Sequence, residues 1–289
     1  MQKKIFIILV QTLFLGSLCG AGEKEHMRTI VATFYPIRLA LMNIVSGVEG
    51  IRVIALADSA TGCLHDYQLT TRDMATLSTA EVLVVNGAGL EAFLENCGSR
   101  RPGLKIIDAS AGINLLVSGG GTNAHIWVSP SRHIMQIQRI ADGLAGWDPV
   151  HADLYQKNAS AYIARLEALK RKMDLKLQQI RSREIITFHE AFPYFADEFK
   201  LKVVGVIERE PGSAPSAAEM ASLIQLVRTT GVKTLFVEPQ YPAKVATAIS
   251  RETGAGLFTL DPVVSGPNST NAYITIMERN LVELERGLR

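Results

Sequence analysis

Cysteine is scarce: Cys19, Cys63 and Cys97 are the only three in 289 residues. A chain of that length makes one or two domains and buries a sizeable core without disulfide staples. Aromatic residues reach only 7%, but 47% of the chain is hydrophobic and 20% charged, an ordinary globular balance. That balance excludes a disordered, collagen-like or coiled-coil chain. A surplus of one charge is missing too, because the formal net charge is +2. Lys3 and Lys4 alone account for it. With no basic excess to release counterions, and no RNA- or DNA-binding motif, a nucleic-acid function is excluded. Beyond the N-terminus no segment has 18 consecutive apolar residues, so no later membrane span is expected. A Gly-x-Ser-x-Gly elbow, a Gly-x-Gly-x-x-Gly turn after a strand and a Gly-x-x-x-x-Gly-Lys loop are all absent.

The first 22 residues read as a secretory signal peptide. Lys3-Lys4 precede the apolar run Ile5 to Leu18, and the small residues Gly20, Ala21 and Gly22 follow. Basic start, short apolar run and small-residue exit are the marks of a cleaved leader. Cys19 raises lipid anchoring as the alternative, but Leu18 precedes it and Leu15 sits one place too far back for Leu-x-x-Cys spacing. The expected location is therefore periplasmic or otherwise extracytoplasmic, with cleavage near Ala21. There Cys63 and Cys97 can pair as a disulfide, and thiolate ligation of a metal is the other reading.

Short Val- and Ile-rich runs alternate with helical patterns. The runs are 29–33, 52–56, 82–86 and 105–108, then 185–188, 203–207, 234–237 and 257–260. Helices are expected over 36–44, 90–97, 131–144, 216–229, 243–252 and 272–288. Such alternation predicts an α/β fold with mainly parallel sheets covered on both faces. Ser216 and Glu219 form a Ser-x-x-Glu helix-capping signature. From about 150 to 181 the alternation stops: no strand signal, no Pro and no Gly. Helix throughout would run about 45 Å at ~1.5 Å per residue. The chain thus divides into residues 1–22 (leader), 27–149 (first lobe), 150–181 (linking helix) and 182–289 (second lobe).

Six histidines occur, and three stand at strand ends. His65 lies in the loop after the second run, Thr61-Gly62-Cys63-Leu64-His65-Asp66-Tyr67. His125 follows the Gly119-Gly120-Gly121 loop, in Ala124-His125-Ile126-Trp127. His189 ends the run that starts at Ile185, with a helix expected from near Glu190. Asp261 likewise ends a run, in Leu260-Asp261-Pro262. Open parallel sheets hold ligands at the carboxyl ends of their strands. Three imidazoles and a carboxylate form a four-coordinate set suited to Zn²⁺. His26 falls in the mature N-terminus, and His133 and His151 on helical stretches suggest solvent-facing or capping roles.

At these residues the chain resembles a known family. His65-Asp66-Tyr67 through Asp73, Ala80 through Glu91, His125-Ile126-Trp127-Val128-Ser129-Pro130, His189 through Phe195, Val237-Glu238-Pro239-Gln240 and Leu260-Asp261-Pro262 follow one another as in metal-ion ABC-transporter solute-binding proteins. These are the ZnuA/TroA-type zinc and manganese receptors. The resemblance implies two pseudo-symmetric sheet lobes joined by one helix, with the metal between them on His65, His125, His189 and Asp261. It also implies a monomer that delivers Zn²⁺ to an ABC-type membrane permease. Manganese members generally carry Glu at the third position; His189 favours zinc over Mn²⁺. The loop 117–123 lacks the long histidine-rich insertion of many zinc members. Glu238 is expected to support the site structurally.

Enzymatic chemistry is the rival reading, as a secreted zinc hydrolase, with an adhesin as a third. His189-Glu190 starts like His-Glu-x-x-His, but Pro193 stands where the second histidine belongs. Four protein ligands also close the shell that a catalytic zinc keeps open for water. The expectation is a receptor, not an enzyme.

Overall fold

A computed structural model describes residues 27–57, 64, 67–94, 103–118, 121–208 and 215–289. The expected leader, His26, His65 and all three cysteines lie outside the described residues.

The first sheet holds β1 (Arg28–Ala32), β2 (Ile51–Ala55), β3 (Val82–Val85) and β4 (Lys105–Asp108), all parallel, in the order β2-β1-β3-β4. A two-stranded hairpin follows, β5 (Val117–Ser118) against β6 (Gly121–Thr122). The second sheet holds β7 (Glu184–Thr187), β8 (Lys202–Val206), β9 (Thr234–Val237) and β10 (Gly256–Thr259), again parallel, in the order β10-β9-β7-β8. Read from the other edge, that order is the first sheet's order repeated. All eight expected sheet strands are present within one or two residues of their predicted ends.

The helices are α1 (Tyr35–Ile44), α2 (Thr71–Thr79), α3 (Pro130–Trp147), α4 (Ala152–Leu177), α5 (Pro193–Phe199), α6 (Ala217–Thr230), α7 (Lys244–Thr253) and α8 (Ala272–Gly287). Their ends follow local chemistry. Thr70 with Asp73 and Ser216 with Glu219 form reciprocal capping boxes on α2 and α6. Ser129 caps α3, and Pro130 takes its first turn, where a missing N–H costs nothing.

Three expectations need correction. The helix predicted over 90–97 is only a 3₁₀ turn, Ala92–Leu94, in its described part. Gly87, Ala88 and Gly89 all have positive φ, and that left-handed stretch blocks helix entry at Leu90. At Gly87 an added Cβ would stand 1.9 Å from the Asp108 carboxylate, so no other residue fits. The helix expected from Glu190 starts at Pro193 instead, because proline pre-sets the helical φ at N1 and disfavours helix in the residue before it. The long helix runs 152–177, 26 residues and about 39 Å, entered through a 3₁₀ turn at Pro149–His151.

α4 is no free strut. Tyr155, Ala159, Tyr162, Leu166, Leu169, Met173 and Leu177 form one buried stripe along it, spaced three or four residues apart as a core-facing helix requires. It packs on α3, α1 and α8. One continuous core therefore runs from Ile30 and Val84 through this stripe to Ile185, Phe236 and Tyr273. Smaller clusters cover the outer faces: Val31, Leu77 and Leu83 on the first sheet, and Ile186, Leu235 and Ile249 on the second. No helix among the described residues is long and apolar enough to cross a membrane.

Candidate metal centre

The order of each sheet places a crevice between the carboxyl ends of its two middle strands, where successive connections leave in opposite directions. In the second sheet these are β7 and β9. His189 follows β7 by two residues and Glu238 follows β9 directly. His189 Nδ1 lies 2.5 Å from Glu238 Oε1, both side chains all but inaccessible. The second carboxylate oxygen, Oε2, accepts from Gln240 Nε2 at 2.7 Å. A carboxylate can only accept, so His189 carries its proton on Nδ1 and turns the lone pair of Nε2 toward the crevice.

His125 arrives from the first lobe, in the segment between β6 and α3. It is 2% exposed, and its ring Nδ1 lies 3.1 Å from Asn123 Oδ1. Asn123 Nδ2 donates to the Glu190 carbonyl at 2.8 Å, which fixes the amide's orientation and makes Oδ1 the acceptor toward His125. This imidazole, too, is protonated on Nδ1. The two Nε2 atoms then face each other at 3.2 Å.

Two lone pairs at that separation repel unless a cation or a proton lies between them. Two nitrogens bound ~2.05 Å from one tetrahedral ion stand about 3.3 Å apart. The spacing in the protein matches that span. Each Nδ1–H is already tied to an oxygen, the outer-shell arrangement that orients metal-binding imidazoles.

Asp261 is held separately. Its backbone N–H donates to Asn280 Oδ1 at 2.8 Å, and Asn280 Nδ2 donates to its carbonyl at 2.7 Å. Val263 N–H takes Asp261 Oδ1 at 2.7 Å, in a turn that forces the buried Val263 to φ 62°, a strained value for a β-branched residue. Pro262 O accepts from Trp127 Nε1 at 2.7 Å, and Trp127 packs 5.2 Å from the His125 ring. Burial pushes the Asp261 carboxyl up, against the Val263 N–H and the charge of Arg279. Burial and the Asp261 charge together push the Tyr35 hydroxyl up to about 12. Among the described residues no three His, Cys, Asp or Glu side chains stand close enough to enclose an ion. Of the four predicted ligands, His125 and His189 meet, Asp261 is anchored through Trp127 to the same segment, and His65 falls outside the description.

The remaining histidines sort differently from the sequence reading. His133 faces no solvent: it is 0% exposed, stacked 4.3 Å from Tyr273, and burial lowers its imidazole to about 4. His151 is half-buried and meets Asp148 Oδ2 at 2.8 Å. Sequence reasoning did not single out Asn123, Gln240 or Asn280. Asn123 carries a signal only in hindsight, as an amide two residues before a ligand candidate.

The family description "Zinc-uptake complex component A periplasmic" matches residues 30–287. The chain belongs to this family. Among curated members of similar sequence, zinc-binding lipoprotein AdcA of Streptococcus pneumoniae is 26% identical over 308 residues, covering 99% of this chain. The chain spans only 61% of that relative's length. High-affinity zinc uptake system protein ZnuA of Bacillus subtilis is 28% identical, covering 94% of this chain and 90% of the relative. The solute-binding protein FpvC of Pseudomonas aeruginosa, solved with Ni²⁺, superposes with a TM-score of 0.81 at 31% identity, covering 90% of this chain and 96% of its own. This member of the zinc-uptake component A family pairs two four-stranded parallel sheets, one in each lobe.

Proposed function

We propose that this protein is an extracytoplasmic receptor that captures Zn²⁺ between its lobes and delivers it to an ABC-type membrane permease. The observation that carries the reading is the pair of opposed Nε2 atoms, 3.2 Å apart, with both Nδ1 atoms already held by oxygen acceptors. His125 and His189 supply two corners of a tetrahedron, and His65 and Asp261 supply the others. Asp261 suits the task, because Val263 occupies its Oδ1 and Oδ2 has no hydrogen-bond partner among the described residues. Ion entry offsets the cost that burial imposes on this carboxylate.

A shell closed by four protein side chains holds an ion and leaves no position for an activated water. The protein is accordingly a carrier with no reaction of its own. Residues 1–22 direct export, 27–149 and 182–289 form the two lobes, and the receptor works as a monomer. Permanent burial of α4 between them supports small adjustments of the cleft over a wide hinge swing. Imidazole-rich coordination favours Zn²⁺ over Mn²⁺.

Calorimetric titration of chelator-stripped protein tests this. One Zn²⁺ should bind per chain, with Mn²⁺ at least tenfold weaker, and Asp261→Ala or His65→Ala should each weaken zinc severalfold or more. Native Zn²⁺ affinity in both variants would overturn the ligand set. Zinc-dependent peptidase or esterase turnover would overturn the carrier.

A further inference from the structure

One side chain beside the metal centre does two jobs at once. Asn123, 6% exposed, uses Oδ1 to accept from the His125 backbone N–H at 2.9 Å and from the His125 ring at 3.1 Å. Its Nδ2 donates across the interface to the Glu190 carbonyl, the residue next to His189. Its own carbonyl accepts from Tyr194 Oη of α5 at 2.8 Å, while that hydroxyl accepts from Leu116 N–H at 2.9 Å. The neighbouring Ala124 carbonyl is pinned by Asn86 Nδ2 at 2.9 Å. The Asn123 amide thus links the His125 imidazole to the peptide next to His189.

We infer that Asn123 is a positioning residue that couples the two imidazoles across the lobe interface, so that both present Nε2 to one point only while the lobes are apposed. The inference rests on the receptor reading above. Its logic is chemical. An amide accepts from an imidazole through its oxygen while it donates to a carbonyl through its nitrogen. A carboxylate of the same size keeps the first job and reverses the second, since two oxygens about 2.8 Å apart repel. Parting the lobes by roughly 1 Å would lengthen the Nδ2 contact beyond hydrogen-bond range and release the constraint on both rings together.

Asn123→Asp and Asn123→Leu separate the jobs. Metal-free protein is read first, by hydrogen exchange over residues 188–194. Exchange there should rise at least tenfold in both variants, because both lose the donor to Glu190. Co²⁺ is then used as a spectroscopic probe, and Zn²⁺ dissociation is timed against a chelator. Asn123→Asp should retain the native tetrahedral Co²⁺ spectrum yet release Zn²⁺ at least tenfold faster. Asn123→Leu should both change the spectrum and release faster still. Native exchange and native release in Asn123→Asp would overturn the coupling; the substitution replaces one NH₂ by O and leaves the packing intact. Should the unsubstituted protein bind neither Co²⁺ nor Zn²⁺, the receptor reading itself fails, whatever the exchange data show.

Discussion

The two sheets offer the same crevice twice and use it for different ends. In the first, Thr33 and Asn86 directly follow β1 and β3, and the buried carboxylate there is Glu91. It accepts from Thr33 Oγ1 at 2.8 Å, Asn86 N–H at 2.7 Å and Gly87 N–H at 3.0 Å. Every donor is spent on closing the chain. In the second sheet the buried carboxylate is Glu238, which holds a histidine ring instead of a backbone turn. Topology supplies the place; in the second sheet an imidazole two residues beyond β7 takes the position that backbone donors fill in the first. The first lobe's contribution, His125, comes from the segment after β6, outside its own sheet.

Removing the imidazole should break that contrast with the largest effect. His189→Ala removes a proposed ligand and takes the Nδ1–H donor away from the buried Glu238 carboxylate. Zinc affinity should fall by more than about 4 kcal/mol, a thousandfold in Kd. The metal-free protein should lose on the order of 3 kcal/mol, the cost of depriving a buried charged acceptor of a hydrogen-bond donor. Titration calorimetry and urea unfolding measure the two losses separately. Intact affinity would show that the crevice of the second sheet is as closed as that of the first.

Matched carboxamides sharpen the comparison. Glu238→Gln weakens the hold on His189 Nδ1 and should cost about ten- to a hundredfold in zinc affinity, as loss of an outer-shell partner does. Glu91→Gln sits at the corresponding crevice and should leave zinc affinity within about twofold while lowering stability. Equal effects of the two on zinc would mean that both carboxylates serve the metal.

Much of this was legible before any coordinates. The short continuous apolar runs marked all eight sheet strands, because parallel strands buried on both faces need continuous Val and Ile. His189 and Asp261 stand just beyond the ends of such runs, whereas His125 follows the β5–β6 hairpin and no strand of a parallel sheet. What escaped was set by contacts between distant segments. Asn123 gains its role from Glu190, 67 residues away, and nothing local distinguishes it from a loop asparagine. His133 read as a surface residue on a helix, yet neighbouring α4 and α8 enclose it, with Tyr162 and Tyr273 as ring neighbours. The short helix α2 went unremarked because its exposed, polar face carries little periodic apolar signal. The turn at 87–89 defeated the helix expected beyond it through left-handed backbone that only the Asp108 contact makes necessary.

The smallest predicted effect concerns pH and sets the closed crevice against the helix that lies beneath it. Burial pushes the Glu91 carboxyl up to about 7, against its three donors and with a small push from Asp108. The folded state therefore holds a proton that the unfolded chain releases near 4.5, and stability falls as pH rises from 4.5 to 7. His133 runs the other way. Its imidazole is lowered to about 4, so the unfolded chain gains a proton first and stability falls as pH drops from 6.5 toward 4. Each slope is worth about 3 kcal/mol across its window at 1.36 kcal/mol per unit, and between pH 4.5 and 6.5 the two oppose. Metal-free protein should show nearly flat stability there. Glu91→Gln removes the falling arm, so its urea midpoint should climb steadily over the same range, by up to about 3 kcal/mol in free energy. A native protein whose midpoint climbs as steeply as the variant's would mean that the three donors keep Glu91 ionised, making the first crevice an anionic site like the second.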